Sequence, residues 1–369
     1  MIRKDVLPDA WKGIDFTQFK EDEMYRPSEG DSVREVVCSC NIPDLDTQRR
    51  TIVNGYGNGL SVKVNDGEIV EKPLQIQSVV AMDRRTLIEL HNRIEIGNNA
   101  QVKIIHCDDT VGDTASLSRN TTEISIGEGA VVEYYKLQNI NNQSGLINST
   151  TITMAAGSQL KTACVTLNGG HICNHYEVRM TGEGCSLNAD GLYLIDGDQK
   201  CDNYIFVEHA FPNCTSNELY KGILDDRARA SFNGHVLVQD GAYKTEAVQN
   251  NRNILLTDKA HVETKPFLEI YNDDVKCAHG SAVGQLDDKA MFYMRTRGIT
   301  ERTARTMLAY AFCDEVIRNI GIEPLRRAIS DMVKKRLHGE LRPCDGCALQ
   351  CSTPCNGSEV HFAIDPSKL

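Results

Sequence analysis

The sequence predicts a mainly β chain built as a solenoid of stacked coils, followed by an α-helical region. Three observations lead there. A small unit recurs, in which a polar or glycine-containing turn is followed by a small residue, a variable position and a β-prone residue: GNNAQV at Ala100, GEGAVV at Ala130, AGSQL at Ser158 and GEGCSL at Cys185. Between these anchors lie short runs alternating apolar and polar with period 2, such as Ile94-Glu95-Ile96, Ile124-Ser125-Ile126, Thr151–Met154 and Val178-Arg179-Met180. Helical periodicity is nearly absent from about 56 to 283 and begins near Leu286.

Each part is then read in order. Residues 1–55 are mixed and charged, carry the lone tryptophan, Trp11, and predict a partly helical lead-in. Residues 56–283 form the solenoid core, with further anchors at Ala228, Ala242 and Ala260. The first four anchors are 30, 28 and 27 residues apart and the last three 14 and 18, near half the longer spacing. Coils of this kind bury their inward residues on their neighbours, so stability comes from stacking. A β-sandwich shares the strand spacing, but the corner periodicity favours the solenoid.

Residues 284–340 predict helices. Asp287 can cap a helix over 288–297, with Leu286 and Met291 as a hydrophobic staple and Gly298 as its left-handed terminator. A second helix follows Thr300, with Ala304, Met307, Leu308, Ala311, Phe312, Val316 and Ile320 as its apolar stripe. A third starts at Glu323-Pro324 and buries Leu325, Ile329, Met332 and Val333. Residues 341–369 are a polar, cysteine-rich tail.

Composition removes several functions. Lys+Arg number 40 against 51 Asp+Glu, a net charge of −11, with no basic run, which excludes a nucleic-acid surface. The start, MIRKDVLPDAWKGIDF, has no apolar core, and no apolar run approaches the roughly 18 residues of a membrane span; neither signal peptide nor membrane helix is expected, and the expected location is the cytoplasm. Fourteen cysteines in such a chain predict reduced thiols used for packing, metal binding or reactivity. There is no G-x(4)-G-K-[ST] loop and no G-x-G-x-x-G between strand and helix, so neither a P-loop nucleotide nor a Rossmann dinucleotide is expected on this chain.

Several constellations could carry chemistry. His171, Cys173 and His175 share one face of a strand by period-2 geometry, which fits a metal site but also an ordinary inward-facing ladder. Cys38 and Cys40 have the same geometry. His106 and Cys107 point to opposite faces. Cys164, Cys185, Cys201, Cys214 and Cys313 read as small packing residues. Cys277 and His279 share a face at the end of the solenoid, where a thiolate and an imidazole make a partial iron site, though such residues taken alone are usually structural. Cys344, Cys347, Cys351 and Cys355 supply four thiolates in twelve residues, the number a tetrahedral Zn²⁺ site or a [4Fe–4S] cluster needs; their spacing matches neither the ferredoxin run nor paired zinc knuckles, and idle thiols are the alternative.

KGIL at 221–224, SFNGHVLV at 231–238, QNNRNILLTDKA at 249–260 and PFLEIYNDDVKCAHGSAVGQLDDKAMFYMRTRGI at 266–299 closely resemble the core of the SufB/SufD family of iron–sulfur cluster assembly scaffolds. The resemblance covers about 60 to 338 and excludes the cysteine tail. It implies a right-handed parallel β-helix, a non-catalytic subunit, pairing along the β-helix with a SufB paralogue or a second copy, and docking of the ABC-type ATPase SufC on the C-terminal helices, with Thr300, Met307, Leu308 and Phe312 as docking residues. ATP hydrolysis would belong to SufC, and apo iron–sulfur proteins would receive the product. SufB members carry a cysteine before the segment matched by Ile254-Leu255-Leu256 and an acidic residue after the family histidine. Here Arg252-Asn253 and Gly280 stand at those places, so the wording is SufD-like, with a single-paralogue scaffold as the other reading. The resemblance implies that His279, and after it Cys277, holds iron or a transient, nascent cluster completed by the partner chain.

Two other classes compete. A β-helix polysaccharide enzyme would use carboxylate pairs, for which Asp225-Asp226 and Asp273-Asp274 are candidates. A stand-alone metal or iron–sulfur protein would rest on the tail cysteines.

Overall fold

The computed structural model describes residues 17–26, 48–54 and 59–338. Among the described residues, seventeen strands and three α-helices follow one another: β1 (Gln48–Asn54), β2 (Ser61–Val64), β3 (Leu74–Val80), β4 (Thr86–Ile96), β5 (Gln101–Thr110), β6 (Ser116–Ile126), β7 (Val131–Asn139), β8 (Gly145–Met154), β9 (Gln159–Asn168), β10 (His171–Met180), β11 (Ser186–Ile195), β12 (Lys200–His209), β13 (Thr215–Leu224), β14 (Arg229–Val238), β15 (Thr245–Leu255), β16 (His261–Ile270), β17 (Val275–Gly284), then α1 (Asp288–Thr296), α2 (Glu301–Ile317) and α3 (Glu323–Leu337). Odd strands make a nine-stranded sheet and even strands an eight-stranded one, each strand pairing in parallel with the strand two places along. The chain thus climbs as a two-sided solenoid, as its sequence predicts.

The small-residue anchors are its corners. Ala100, Ala130, Ser158, Cys185 and Ala242 sit where the chain turns from an even strand to an odd one, and Ala228 and Ala260 where it turns back. All are buried, so nothing much larger than a β-carbon fits. The half-length spacing of the last three anchors comes from alternating between the two corner lines. Cys214 occupies the first line as well, stacked beside Cys185, a corner that the repeat in the sequence did not disclose.

The space between the sheets is filled in two styles. Toward the first corner line it is apolar, with Ile94, Ile104, Ile124, Val132, Ile152, Val178, Ile205 and Phe232 in one cluster. Beside that lies a polar, hydrogen-bonded layer, and at the other corner line apolar residues return, Ile140, Leu146 and Ile172 in one cluster and Ile195, Leu224 and Ala228 in another. Asn120, Asn148, Asn174 and Asn203 stack in register on four successive even strands, all buried, and Asn174 Nδ2 donates to Asn203 Oδ1 over 3.1 Å. Lys136 and Asp108 form a buried ion pair at 2.8 Å, with Asn120 donating to the same carboxylate at 2.9 Å.

The outer face of the odd sheet is covered by α2 and α3. Ile105, Leu137, Val165, Leu192, Ile223 and Ile254 meet Val316, Ile317, Ile320, Leu325, Ile329 and Val333 in one apolar cluster. Asp287 caps α1, accepting from the backbone of Lys289 at 2.8 Å and Ala290 at 3.2 Å, and Gly298 adopts φ +84° as the terminator. The third helix buries the four residues expected of it. The second does so in part: Ala304, Val316 and Ile320 are buried as expected and Leu308 and Phe312 half-buried, but Met307 and Ala311 are exposed, and Ala309, Cys313 and Ile317 complete the buried face. Apolar residues lie on more than one side of α2, and the solenoid covers the side that carries the small Ala309 and Cys313.

The outer face of the even sheet is covered in part by two short 3₁₀ turns, Thr17–Phe19 and Glu21–Glu23, whose flank places Phe19 and Met24 against Leu87, Leu117, Ile147 and Cys173. Trp11, Cys38 and Cys40 lie outside the described residues.

Candidate functional site

Both sheets stop at the same end. The last strand of the even sheet, β16, and the last of the odd sheet, β17, each leave one edge without a strand partner among the described residues. Burial changes accordingly: strands that alternate buried and exposed elsewhere carry no fully buried residue in β16 or β17. Phe267, Tyr271 and Val283 are exposed here by 55%, 58% and 45%, an apolar concentration unusual for a finished surface.

Cys277 and His279 stand on β17. Cys277 is opposite Ala247 and packs with Val236, Val238 and Ala242, so it faces between the sheets; burial pushes its thiol up. His279 shares that face, is opposite Gln249, and is exposed at the open end. Behind it, Gln249 is opposite Glu218, and both are fully buried. Burial raises the Glu218 carboxyl to about 8, against which the hydrogen bond from Gln249 works. The end of the solenoid therefore presents one thiol and one imidazole together, a ligand set that needs donors from elsewhere to close around iron.

The other predicted cluster is brought together differently. His171, Cys173 and His175 lie on the outward face of β10, not the inward one. His171 Nε2 is 2.8 Å from Asp202 Oδ2, and Cys173 Sγ is 3.6 Å from each of these atoms. Asp202, on β12, is opposite Cys173 in register. His175 is not part of the group: its ring tilts against Tyr204 at 5.0 Å and lies 3.4 Å from Ser149 Oγ, and burial lowers its basicity. The sequence discloses two of the three residues and misses Asp202, which is 29 positions beyond Cys173, one coil away.

The remaining candidates separate. Cys164, Cys185, Cys201, Cys214 and Cys313 are buried packing residues. His106 faces between the sheets, where Nδ1 bonds Tyr134 at 2.8 Å, while Cys107 joins the cluster under the helices. Asp225-Asp226 and Asp273-Asp274 are corner residues on opposite edges of the solenoid and do not face one another. Of the expected docking residues, Met307 is exposed, Leu308 and Phe312 are half-buried, and Thr300 caps α2 by accepting from Thr303 at 3.2 Å. Phe312 is held from below by Lys221, whose ammonium lies 4.3 Å from its ring centre. Phe292 and Tyr293 on α1 are also exposed, by 71% and 59%, and the sequence reading missed both. Cys344, Cys347, Cys351 and Cys355 lie outside the described residues.

The family model described as SUF system FeS cluster assembly, SufBD core domain, matches residues 79–312, from β3 to α2. The chain is 29% identical over 284 residues to the iron-sulfur cluster assembly protein SufD of Escherichia coli (strain K12), covering 76% of this chain and 67% of that one. It is 32% identical over 264 residues to an iron-sulfur cluster assembly SufBD family protein of Synechocystis sp., covering 69% of this chain. It is 24% identical over 296 residues to the SufD of Bacillus subtilis (strain 168), covering 79% of this chain. The matched stretch spans about half, 55%, of the Synechocystis relative.

Proposed function

The chain belongs to the SUF system FeS cluster assembly, SufBD core family, and from that premise we propose that it is a SufD-like, non-catalytic scaffold subunit for building iron–sulfur clusters. In this reading it pairs through β16 and β17 with a SufB-type paralogue or a second copy. Free parallel edges in both sheets, with exposed Phe267, Tyr271 and Val283, support that pairing, since main-chain hydrogen bonds and apolar contacts would extend across the joint.

His279 and Cys277 would hold iron or a nascent cluster at the joint, with the partner completing the ligand set. The observation that carries this assignment is their common face at the open end of the solenoid. A SufC-type ATPase would dock on the exposed side of α1 and α2, around Met307, Phe292 and Tyr293, and supply the energy; apo iron–sulfur proteins would take the product. The tail cysteines would add a separate Zn²⁺ or [4Fe–4S] site.

Anaerobic co-expression with a SufC-type ATPase and a SufB paralogue tests the reading through co-purification, iron and sulfide content and visible absorption. The expected result is a stable complex that carries cluster in the wild type and loses it in His279→Ala. Failure to bind the ATPase would sink the scaffold reading, and equal cluster content in His279→Ala would sink the site. Deleting 341–369 should leave the complex intact while removing any metal held by the tail.

A further inference from the structure

We propose that His171, Cys173 and Asp202 form a binding site for a single divalent transition-metal ion on the outer face of the even sheet, two coils in from the open end and independent of the scaffold role. The three donor atoms already stand close to a tetrahedral face. With metal–nitrogen and metal–oxygen distances of about 2.0–2.1 Å and metal–sulfur of about 2.3 Å, ligand atoms around Zn²⁺ are separated by roughly 3.5 Å for sulfur and 3.3 Å for nitrogen to oxygen. Both sulfur edges are 3.6 Å here and need no movement; only the 2.8 Å edge between His171 Nε2 and Asp202 Oδ2 has to open by about half an ångström.

Charge supports the assignment. A thiolate, a carboxylate and a neutral imidazole around a divalent cation sum to zero, which suits side chains as deeply placed as His171 and Cys173. In the metal-free state the Cys173 thiol and the His171 ring both converge on Asp202 Oδ2. On binding, the thiol proton leaves to solvent and the imidazole proton passes to Nδ1, so a divalent ion enters as one proton departs and the charge of the site goes from −1 to zero.

The surroundings hold the donors in place. Ser231, from the next coil, donates to Asp202 Oδ1 and leaves Oδ2 for the ion. Phe19 and Met24 wall the Cys173 side, and Asp202 is the one ligand that reaches solvent, with its side chain 18% exposed. Three protein ligands leave a fourth position on that side for water or an exchanging ligand, and the mixed nitrogen, sulfur and oxygen set selects Zn²⁺, Fe²⁺ or Co²⁺ over Mg²⁺ and Ca²⁺.

The test uses the full chain with the four tail cysteines changed to serine, titrated anaerobically with Co²⁺ after chelation and dialysis. One Co²⁺ per chain is expected, with a thiolate-to-cobalt charge-transfer band in the near ultraviolet. Cys173→Ser should abolish the band, and Asp202→Asn, which keeps shape and hydrogen bonding, should weaken binding at least about ten-fold. Ser231→Ala should weaken it by about 10- to 100-fold through loss of orientation alone. His175→Ala should leave it unchanged. No bound cobalt, or a band that survives Cys173→Ser, would overturn the proposal; if Cys173→Ser does not fold, undiminished affinity in Asp202→Asn overturns it instead.

Discussion

Gln249 Nε2 donates to Glu218 Oε2 over 2.7 Å deep between the sheets, one strand behind His279. Neither side chain is exposed to water, so this pair joins the interior of the solenoid to its open end without a charge that the interior must carry at neutral pH.

Glu218 therefore makes stability depend on pH. Its folded value of about 8 exceeds the ordinary 4.5, so the folded chain keeps a proton that the unfolded chain releases as pH rises above 4.5. Stability should fall between pH 4.5 and about 8 relative to Glu218→Gln, by roughly 3–5 kcal/mol in all, and the difference should level off above that. Urea midpoints of the two proteins at pH 5, 7 and 9 measure it, and a constant difference would refute it.

Lys136 and Asp108 give a second case. Removing one charge leaves the other buried and unpaired, so Lys136→Met should cost about 3–5 kcal/mol. Adding Asp108→Asn should recover most of that loss, because the remaining polar group is neutral and keeps Asn120 as a neighbour. A double-mutant cycle by chemical denaturation checks the coupling.

Tyr193 and Tyr220 each lie over a glycine of the other's strand. A β-carbon on Gly222 would sit 2.1 Å from the Tyr193 ring, and one on Gly191 would sit 2.2 Å from the Tyr220 ring. Gly222→Ala should cost about 1–3 kcal/mol by overpacking. Gly241→Ala, where nothing stands within 4 Å, is the matched control and should be near neutral; similar melting temperatures for the two variants would argue against this packing.

The helical surface separates stability from docking. Thr300→Ala should cost about 0.5–2 kcal/mol by removing the cap of α2. Met307→Asp should leave the melting temperature within about 1 °C, since the side chain is 49% exposed, and yet abolish association with a SufC-type ATPase. Co-purification that survives Met307→Asp would move the docking surface elsewhere.

The corners were legible because their physics is local: a tight turn followed by a buried position tolerates alanine, serine or cysteine and little else. The cap of α1 was legible for the same reason. Cys214 was not, because PNC at 212–214 lacks the glycine-rich wording of its neighbours, although it fills the same corner. The stripe of α2 was legible at Ala304, Val316 and Ile320 but not at Met307 and Ala311, which are apolar yet face outward, because only the position of the solenoid decides which side is covered. Asp202 was invisible beside Cys173 because their contact depends on the register of β10 with β12, a property of the whole coil. Cys277 and His279 were visible as a pair, but their exposure follows from where the stack of coils ends.

The covering of the odd sheet by α2 and α3 sets an order of events during synthesis. Ile105, Leu137 and Val165 emerge from the ribosome well before Val316, Ile329 and Val333, which cover them. At about 5–20 residues per second the coils can stack as they appear, yet their outer apolar face stays open for roughly 10–45 s. The nascent chain is thus a half-sided object for most of its translation, and the last fifty residues of the described structure decide whether it is released as a finished surface or a sticky one.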